Sequence, residues 1–230
     1  MTVLGFDTAT AATAVALLRP GAEPVEARHD PAPGERPGHV AQLLPLVRAV
    51  LDRAGLGFAD LDRLAVGVGP GTFTGLRIGV ATARALAQAA GLPLVPVGTL
   101  RALALPAQAA AGAVLAVLDA RRGEAFVAGW VEGEQAVAPA ALPVEALAGL
   151  APPPTGHWLA VGDGAVRLRA ELERAGALVP PDGDPLHLVH GGAVCRLALE
   201  LPGTARREEV VPQYLRLPDA ELARTATPRP

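Results

Sequence analysis

The sequence predicts an α/β protein assembled from two related units. Short apolar runs bounded by turn residues alternate with stretches of helical periodicity. A pattern of strand, aspartate, tight turn and second strand opens the chain and returns halfway along it. The two aspartates, Asp7 and Asp119, lie 112 residues apart in a chain of 230. A boundary near residue 103 gives units 1–103 and 104–218. A polar, proline-ended tail follows over 219–230 and is expected to fray.

The first strand is Val3 to Phe6, closing at Asp7, and Thr8-Ala9-Thr10 turns the chain into a second strand, Thr13 to Leu18. Residues 19–38 are rich in Pro and Gly and read as an edge strand flanked by loops. His39 to Arg53 reads as a helix, because Val40, Leu43, Leu44, Val47, Val50 and Leu51 recur at three- and four-residue steps. Pro45 should kink it or displace its start, and Gly55 should end it. Leu64 to Val68 is a short apolar strand, Thr74 to Ala90 a helix, Leu94 to Val97 a strand and Leu100 to Ala110 a helix.

The second unit opens with Ala113 to Leu118, closing at Asp119. The turn Ala120-Arg121-Arg122-Gly123 leads into Glu124 to Trp130. A proline-rich loop at 151–154, a strand from Trp158 to Val161, a turn at Gly162-Asp163-Gly164 and helices near 165–175 and 186–200 complete the reading.

Composition excludes several chemistries. All 20 basic residues are Arg, so there is no Walker A lysine and no Schiff base. There is no Ser, so no serine nucleophile. The single cysteine, Cys195, excludes a disulfide framework and a thiolate zinc cluster, fits a reducing cytoplasm, and falls in an apolar helix where it should be inert. The amino end lacks the features of a signal peptide, and no apolar run is long enough to span a membrane, so a cytoplasmic protein with no membrane association is expected. A net charge of −3 and 3% aromatic residues argue against nucleic-acid binding by the chain alone. His187-x-x-His190 has the spacing of one helical turn but no nearby carboxylate, so no metal site is expected.

Three features remain. The stretch Gly69-Pro70-Gly71-Thr72-Phe73-Thr74-Gly75-Leu76-Arg77-Ile78-Gly79 lies where a strand gives way to a helix. Bare amides there attract anions, but the glycine spacing is not that of a dinucleotide loop, and a tight strand-to-helix turn explains it equally. The helix carries Gly75, Gly79, Ala83 and Ala87 in a row of four-residue steps, suited either to its own sheet or to a partner helix. Asp7 with Thr8 and Thr10, and Asp119 in the second unit, have the placement of turns that hold Mg²⁺ and phosphate.

The Gly69–Gly79 run resembles the signature of the bacterial TsaB (YeaZ) family. Four further matches follow the family's order: Asp7 to Thr10; His39 with Leu43-Leu44-Pro45; Leu118 to Arg121 with Glu124; and Pro212 to Arg216. The resemblance implies a duplicated actin/Hsp70/sugar-kinase-like (ASKHA) fold. It implies a non-catalytic subunit, without a cofactor, of the machine that makes threonylcarbamoyladenosine in tRNA. Such a subunit binds and activates a TsaD-like paralogue, a TsaE-like ATPase joins the assembled pair, and tRNA is met mainly through the complex. TsaD-like chains carry a second histidine where this sequence has Leu43, so that metal pair is broken here. The resemblance adds weight to a partner surface on the first unit's helices, with Val40, Leu43, Leu44, Val47, Gly75, Gly79 and Ala83 as contributors. The same surface suits a homodimer when the partner is absent. Asp7, Thr8, Thr10 and Asp119 then become vestiges of a phosphate loop. The competing readings are an ATPase or small-molecule kinase built on Asp7 and Asp119, and a peptidase, for which no nucleophile is present.

Overall fold

The computed structural model describes residues 1–32, 34–154 and 156–216; the tail expected over 219–230 lies outside them. The elements of the first unit are β1 (Val3–Asp7), β2 (Thr13–Leu18), β3 (Val25–His29), α1 (His39–Ala54), β4 (Arg63–Gly69), α2 (Phe73–Ala90), β5 (Leu94–Gly98) and α3 (Thr99–Ala107). Those of the second are β6 (Ala113–Arg121), β7 (Glu124–Val131), β8 (Glu134–Pro143), β9 (Leu159–Val161), α4 (Asp163–Arg167), α5 (Arg169–Arg174) and α6 (Gly191–Glu200).

The five strands of the first sheet lie in the order β3-β2-β1-β4-β5, and the four of the second in the order β8-β7-β6-β9. Each sheet is an antiparallel meander whose first strand pairs in parallel with the strand after it, β4 in one and β9 in the other. The repeat read from two aspartates is therefore a repeat of topology. Strands β1, β2 and β4 are covered on both faces, which explains their unbroken apolar runs.

Helix α1 lays Leu43, Val47, Val50 and Leu51 on the first sheet. It starts ahead of Pro45 and continues through it, losing one backbone bond rather than its first turn. Gly55 and Gly91 end α1 and α2 in the left-handed conformation that glycine takes without strain. On the sheets' facing sides a single core joins them through α3 and α6, among them Val3, Ala16, Leu100, Val114 and Val194. A cut near residue 103 separates the strands of the two sheets, but α6 crosses back onto β1 and β2. Gly5 and Gly191 permit that approach: a Cβ on Gly5 would lie 2.8 Å from the Cys195 sulfur. The Cys195 thiol is buried against the carbonyls of Val3 and Ala16, and burial pushes its pKa far up, so it is inert.

Four elements differ from the sequence reading. Strand β8 was not predicted; it is a mostly exposed edge strand with Pro139 inside it, so it shows no apolar alternation. Strand β6 runs on to Arg121, which pairs with Glu124 and leaves the two-residue turn Arg122–Gly123. The helix near 165–175 breaks at Leu168 into α4 and α5. The helix expected from 186 begins at Gly191, because Pro185–His187 forms a separate turn capped by the Asp184 carboxylate.

The two histidines of that region are structural. His187 is buried, accepting the Gly162 N–H at Nδ1 and donating from Nε2 to the Pro180 carbonyl. His190 sits 3.6 Å from the Glu26 carboxylate, and that partner raises its pKa above the ordinary 6.5 against the opposing effect of burial. A histidine raised by folding stabilises fully below pH 6.5 and loses that contribution as pH rises through its folded value. The stability deficit of His190→Gln, read from urea midpoints, should therefore be present at acidic pH and vanish in alkali. It should not exceed about 1 kcal/mol, because solvent screens the pair. A deficit that grows with pH would refute this assignment.

Candidate functional site

Strand β1 delivers Asp7 to the interior, where it is 1% exposed. Its Oδ1 accepts the Ala9 N–H at 2.7 Å and its Oδ2 accepts the Thr99 hydroxyl at 2.7 Å. Thr99 Oγ1 in turn accepts the Gly69 N–H at 3.2 Å. Burial raises the Asp7 pKa, and the two hydrogen bonds oppose it. Gly67 closes the site from β4: a Cβ there would lie 1.8 Å from Asp7 Oδ2. Thr8 is also buried and donates to the Gly75 carbonyl at 2.8 Å. These two residues, expected as vestiges of a phosphate loop, are buried and fasten β1 to the start of α2 and to α3. Of the two threonines of that turn, Thr10 lines the open cleft, with Ala9 and Ala11 beside it.

The signature loop is fitted to the same turn. The Gly69–Pro70 peptide is cis and Gly69 has φ +109°. Thr72 N–H donates to the Ala9 carbonyl at 2.7 Å, which brings the chains so close that a Cβ on Gly71 would lie 2.3 Å from that oxygen. Beyond it, Phe73 faces Tyr214 with ring centroids 5.2 Å apart, and the Arg77 guanidinium lies 3.7 Å over Phe73. Gln213 N–H donates to Val68, and Arg216 pairs with Glu124 of β7 at 2.7 Å, so the 210–216 segment straps the first lobe to the second.

Between the lobes lies a cleft of about 430 Å³. Thr10, Gly71, Thr72 and Phe73 line one wall, Asp119, Arg121, Phe126 and Asp163 the other, with Tyr214 and Arg216 at the strap. Asp119 Oδ1 accepts the Arg121 N–H at 2.8 Å, repeating the bond between Asp7 and Ala9. Its Oδ2 is shared by Arg167 at 2.5 Å and Arg121 at 3.4 Å. Asp163 accepts the Asp119 N–H at 3.0 Å; burial and then the neighbouring Asp119 carboxylate raise its pKa. The specific signature loop and three motifs weak by themselves (the first turn, the second turn and the Tyr214 segment) thus meet at one cleft. The His39 motif instead starts α1, with Nδ1 held by the Thr13 hydroxyl at 2.8 Å. Sequence reasoning missed Thr99 and Gly67, which act on Asp7 from 92 and 60 residues away and carry no local signal.

The seven residues expected at a partner surface divide. Leu43 and Val47 are buried in the core beneath α1. Gly75, Gly79 and Ala83 are buried beneath α2, where Cβ atoms on the two glycines would collide with Thr8. The row of small residues therefore serves the chain's own fold, because α2 must approach the Thr8 turn closely. Val40 and Leu44 alone stand outward, 79% and 53% exposed. Alongside them α2 presents Thr74, Arg77, Ala81 and Ala85. Among the described residues, no group of three His, Cys, Asp or Glu side chains is placed to hold a metal, and no helix is long and apolar enough to cross a membrane.

Two lobes of the same strand order, each with an aspartate turn at their shared cleft, define a duplicated actin/Hsp70/sugar-kinase-like protein. Consistent with that fold, the chain matches the structure of the ethanolamine utilization protein EutJ from Carboxydothermus hydrogenoformans with a TM-score of 0.50, at 17% identity, over 85% of this chain and 89% of that one. The chain belongs to the TsaB (YeaZ) family. It is 37% identical to the tRNA threonylcarbamoyladenosine biosynthesis protein TsaB of Escherichia coli K12, over 81% of each chain. A Pseudomonas aeruginosa crystal structure, described as an uncharacterized protein with similarity to peptidase YEAZ, superposes with a TM-score of 0.77 at 32% identity, covering 94% of this chain and 99% of that one. The family model described as TsaD, tRNA N6-adenosine threonylcarbamoyltransferase, matches residues 35–175.

Proposed function

We propose that this chain is a non-catalytic subunit in tRNA threonylcarbamoyladenosine synthesis that binds and activates a TsaD-type threonylcarbamoyltransferase. Its E. coli relative is a biosynthesis protein of that modification by name. The observation that carries the finer reading is the outward face of α1: Val40 and Leu44 are large, apolar and exposed on a helix whose opposite face fills the core. The match of residues 35–175 to the transferase family supports a paralogous partner that presents equivalent helices. Two such faces can pack pseudo-symmetrically, each burying on the order of 800 Å². The same face can pair two copies of this chain when the partner is absent. A TsaE-type ATPase would join the assembled pair.

The ATPase reading is the weaker one. Asp7 is sealed behind Gly67 and engaged by Thr99, and Asp119 is claimed by two arginines, which leaves neither free to hold a metal–nucleotide complex. Light scattering on the chain mixed with its cognate transferase should give one complex, and the mixture should modify tRNA far faster than the transferase alone. Two unshifted peaks with no gain in modification would sink the proposal. ATP calorimetry, with Asp7→Ala as control, would then test the ATPase.

A further inference from the structure

The mouth of the interlobe cleft combines features that the subunit role does not use. Among the described residues only three that are not glycine have positive φ, and two of them, Arg121 (+65°) and Arg122 (+54°), are adjacent at the β6–β7 turn. A Cβ-bearing residue pays a steric cost there, and turns of this type favour Asn and Gly. Both residues are exposed; Arg121 lines the cleft and Arg122 follows it in the turn.

The surrounding charge has a depth profile. Asp119 is 11% exposed, whereas the side chains of its partners Arg121 and Arg167 are 73% and 52% exposed. Arg121 and Arg216 line the opening, Arg77 lies over Phe73 of its wall, Arg167 pairs with Asp119 and Arg122 follows Arg121 in the turn, against the acids Asp119, Glu124 and Asp163. A chain of net charge −3 thus has a local excess of positive charge, carried by the outermost groups.

Aromatic residues concentrate at the same place. The chain has four Phe, two Trp and one Tyr, and three of these rings, Phe73, Phe126 and Tyr214, line this cleft. Tyr214 is 40% exposed, and Arg77, stacked on Phe73, donates from Nε to its hydroxyl at 3.3 Å. Cations that meet phosphates, interleaved with rings that stack bases, form the chemistry of single-strand recognition. The cleft volume of about 430 Å³ is in the range of single-ligand pockets, so it suits one splayed base rather than a duplex.

We propose that this cleft mouth is a direct RNA contact. Arg121 and Arg122 meet phosphates of a single-stranded loop, and the exposed ring of Tyr214, backed by Phe73, receives an unpaired base. The inference rests on the proposed role in tRNA modification and locates on this chain part of a contact that net charge alone assigns to a partner.

The test is fluorescence anisotropy with a fluorescein-labelled anticodon stem-loop RNA, on the full chain and on its complex with the transferase. Arg121→Glu combined with Arg122→Glu should weaken binding about tenfold or more and flatten its salt dependence by about two counterions. Tyr214→Leu should weaken it several-fold with the salt slope unchanged. Arg121→Gln with Arg122→Gln, checked by circular dichroism, covers the case in which reversed charges disturb the turn. Arg196→Glu, an exposed arginine on α6 paired with Glu23, should bind as wild type. Unaltered RNA affinity in the paired variants, or an equal loss in Arg196→Glu, overturns the proposal. So does displacement of the RNA by stoichiometric ATP, or a loss of transferase binding in place of RNA binding. Complex formation, read separately by light scattering, reports on the subunit role, so either reading can fail without the other.

Discussion

Leu44→Asp should leave the protein folded and abolish its association with the transferase. Leu44 is 53% exposed and contributes little to this chain's core, so the change in stability should stay within about 0.5 kcal/mol. At the centre of an apolar interface an uncompensated carboxylate must be desolvated, and loss of an anchor there costs about 2 kcal/mol or more, roughly 30-fold in affinity. Val40→Asp, one helical turn away on the same face, should act in the same direction. Light scattering of each variant with the transferase, beside a thermal melt of the variant alone, separates binding from folding. Wild-type complex formation by both variants would remove the α1 face from the proposed function.

Gly75→Ala should fail for the opposite reason. Replacing a helical glycine by alanine is ordinarily favourable by about 1 kcal/mol. Here the new Cβ would lie 2.0 Å from the carbonyl oxygen of Thr8, a backbone atom that cannot rotate away. Accommodation requires α2 to move off the turn, which breaks the buried bond from the Thr8 hydroxyl to Gly75 O. Overpacking and an orphaned polar group each cost about 1–3 kcal/mol, so the net loss should be about 3 kcal/mol. Transferase binding should fall only in proportion to the unfolded fraction, as denaturant titration at matched folded concentrations would reveal. A more stable Gly75→Ala protein would refute the close approach of α2 to the turn.

These two positions mark the limit of what periodicity conveys. Four-residue steps of Gly75, Gly79, Ala83 and Ala87 identify a face, but they do not say what meets it. The apolar steps of α1 likewise group Val40 and Leu44 with Leu43 and Val47, although the first pair looks outward and the second inward. An apolar set wider than one stripe is the sequence's sign that both sides of a helix are used; the assignment of sides waits on the sheet. The edge strand β8 escaped notice because exposure removes the alternation by which strands are read. The cleft was legible as separate motifs, one specific and the others weak, and only folding brings Thr10, Phe73, Asp119 and Tyr214 to one opening.

The repeat, the apolar strands of each unit and the stop of α1 at Gly55 were legible from local sequence. These depend on backbone sterics and on side-chain spacing within a few residues. The burial of Asp7 and its bond to Thr99 beside Gly67 follow from the tertiary structure alone, since those two residues reach it across 92 and 60 residues. The tertiary structure likewise decided that the small residues of α2 are buried against the chain's own turn while Val40 and Leu44 stand outward. Burial of a helix face is fixed by what packs on it, and that neighbour is distant in the chain.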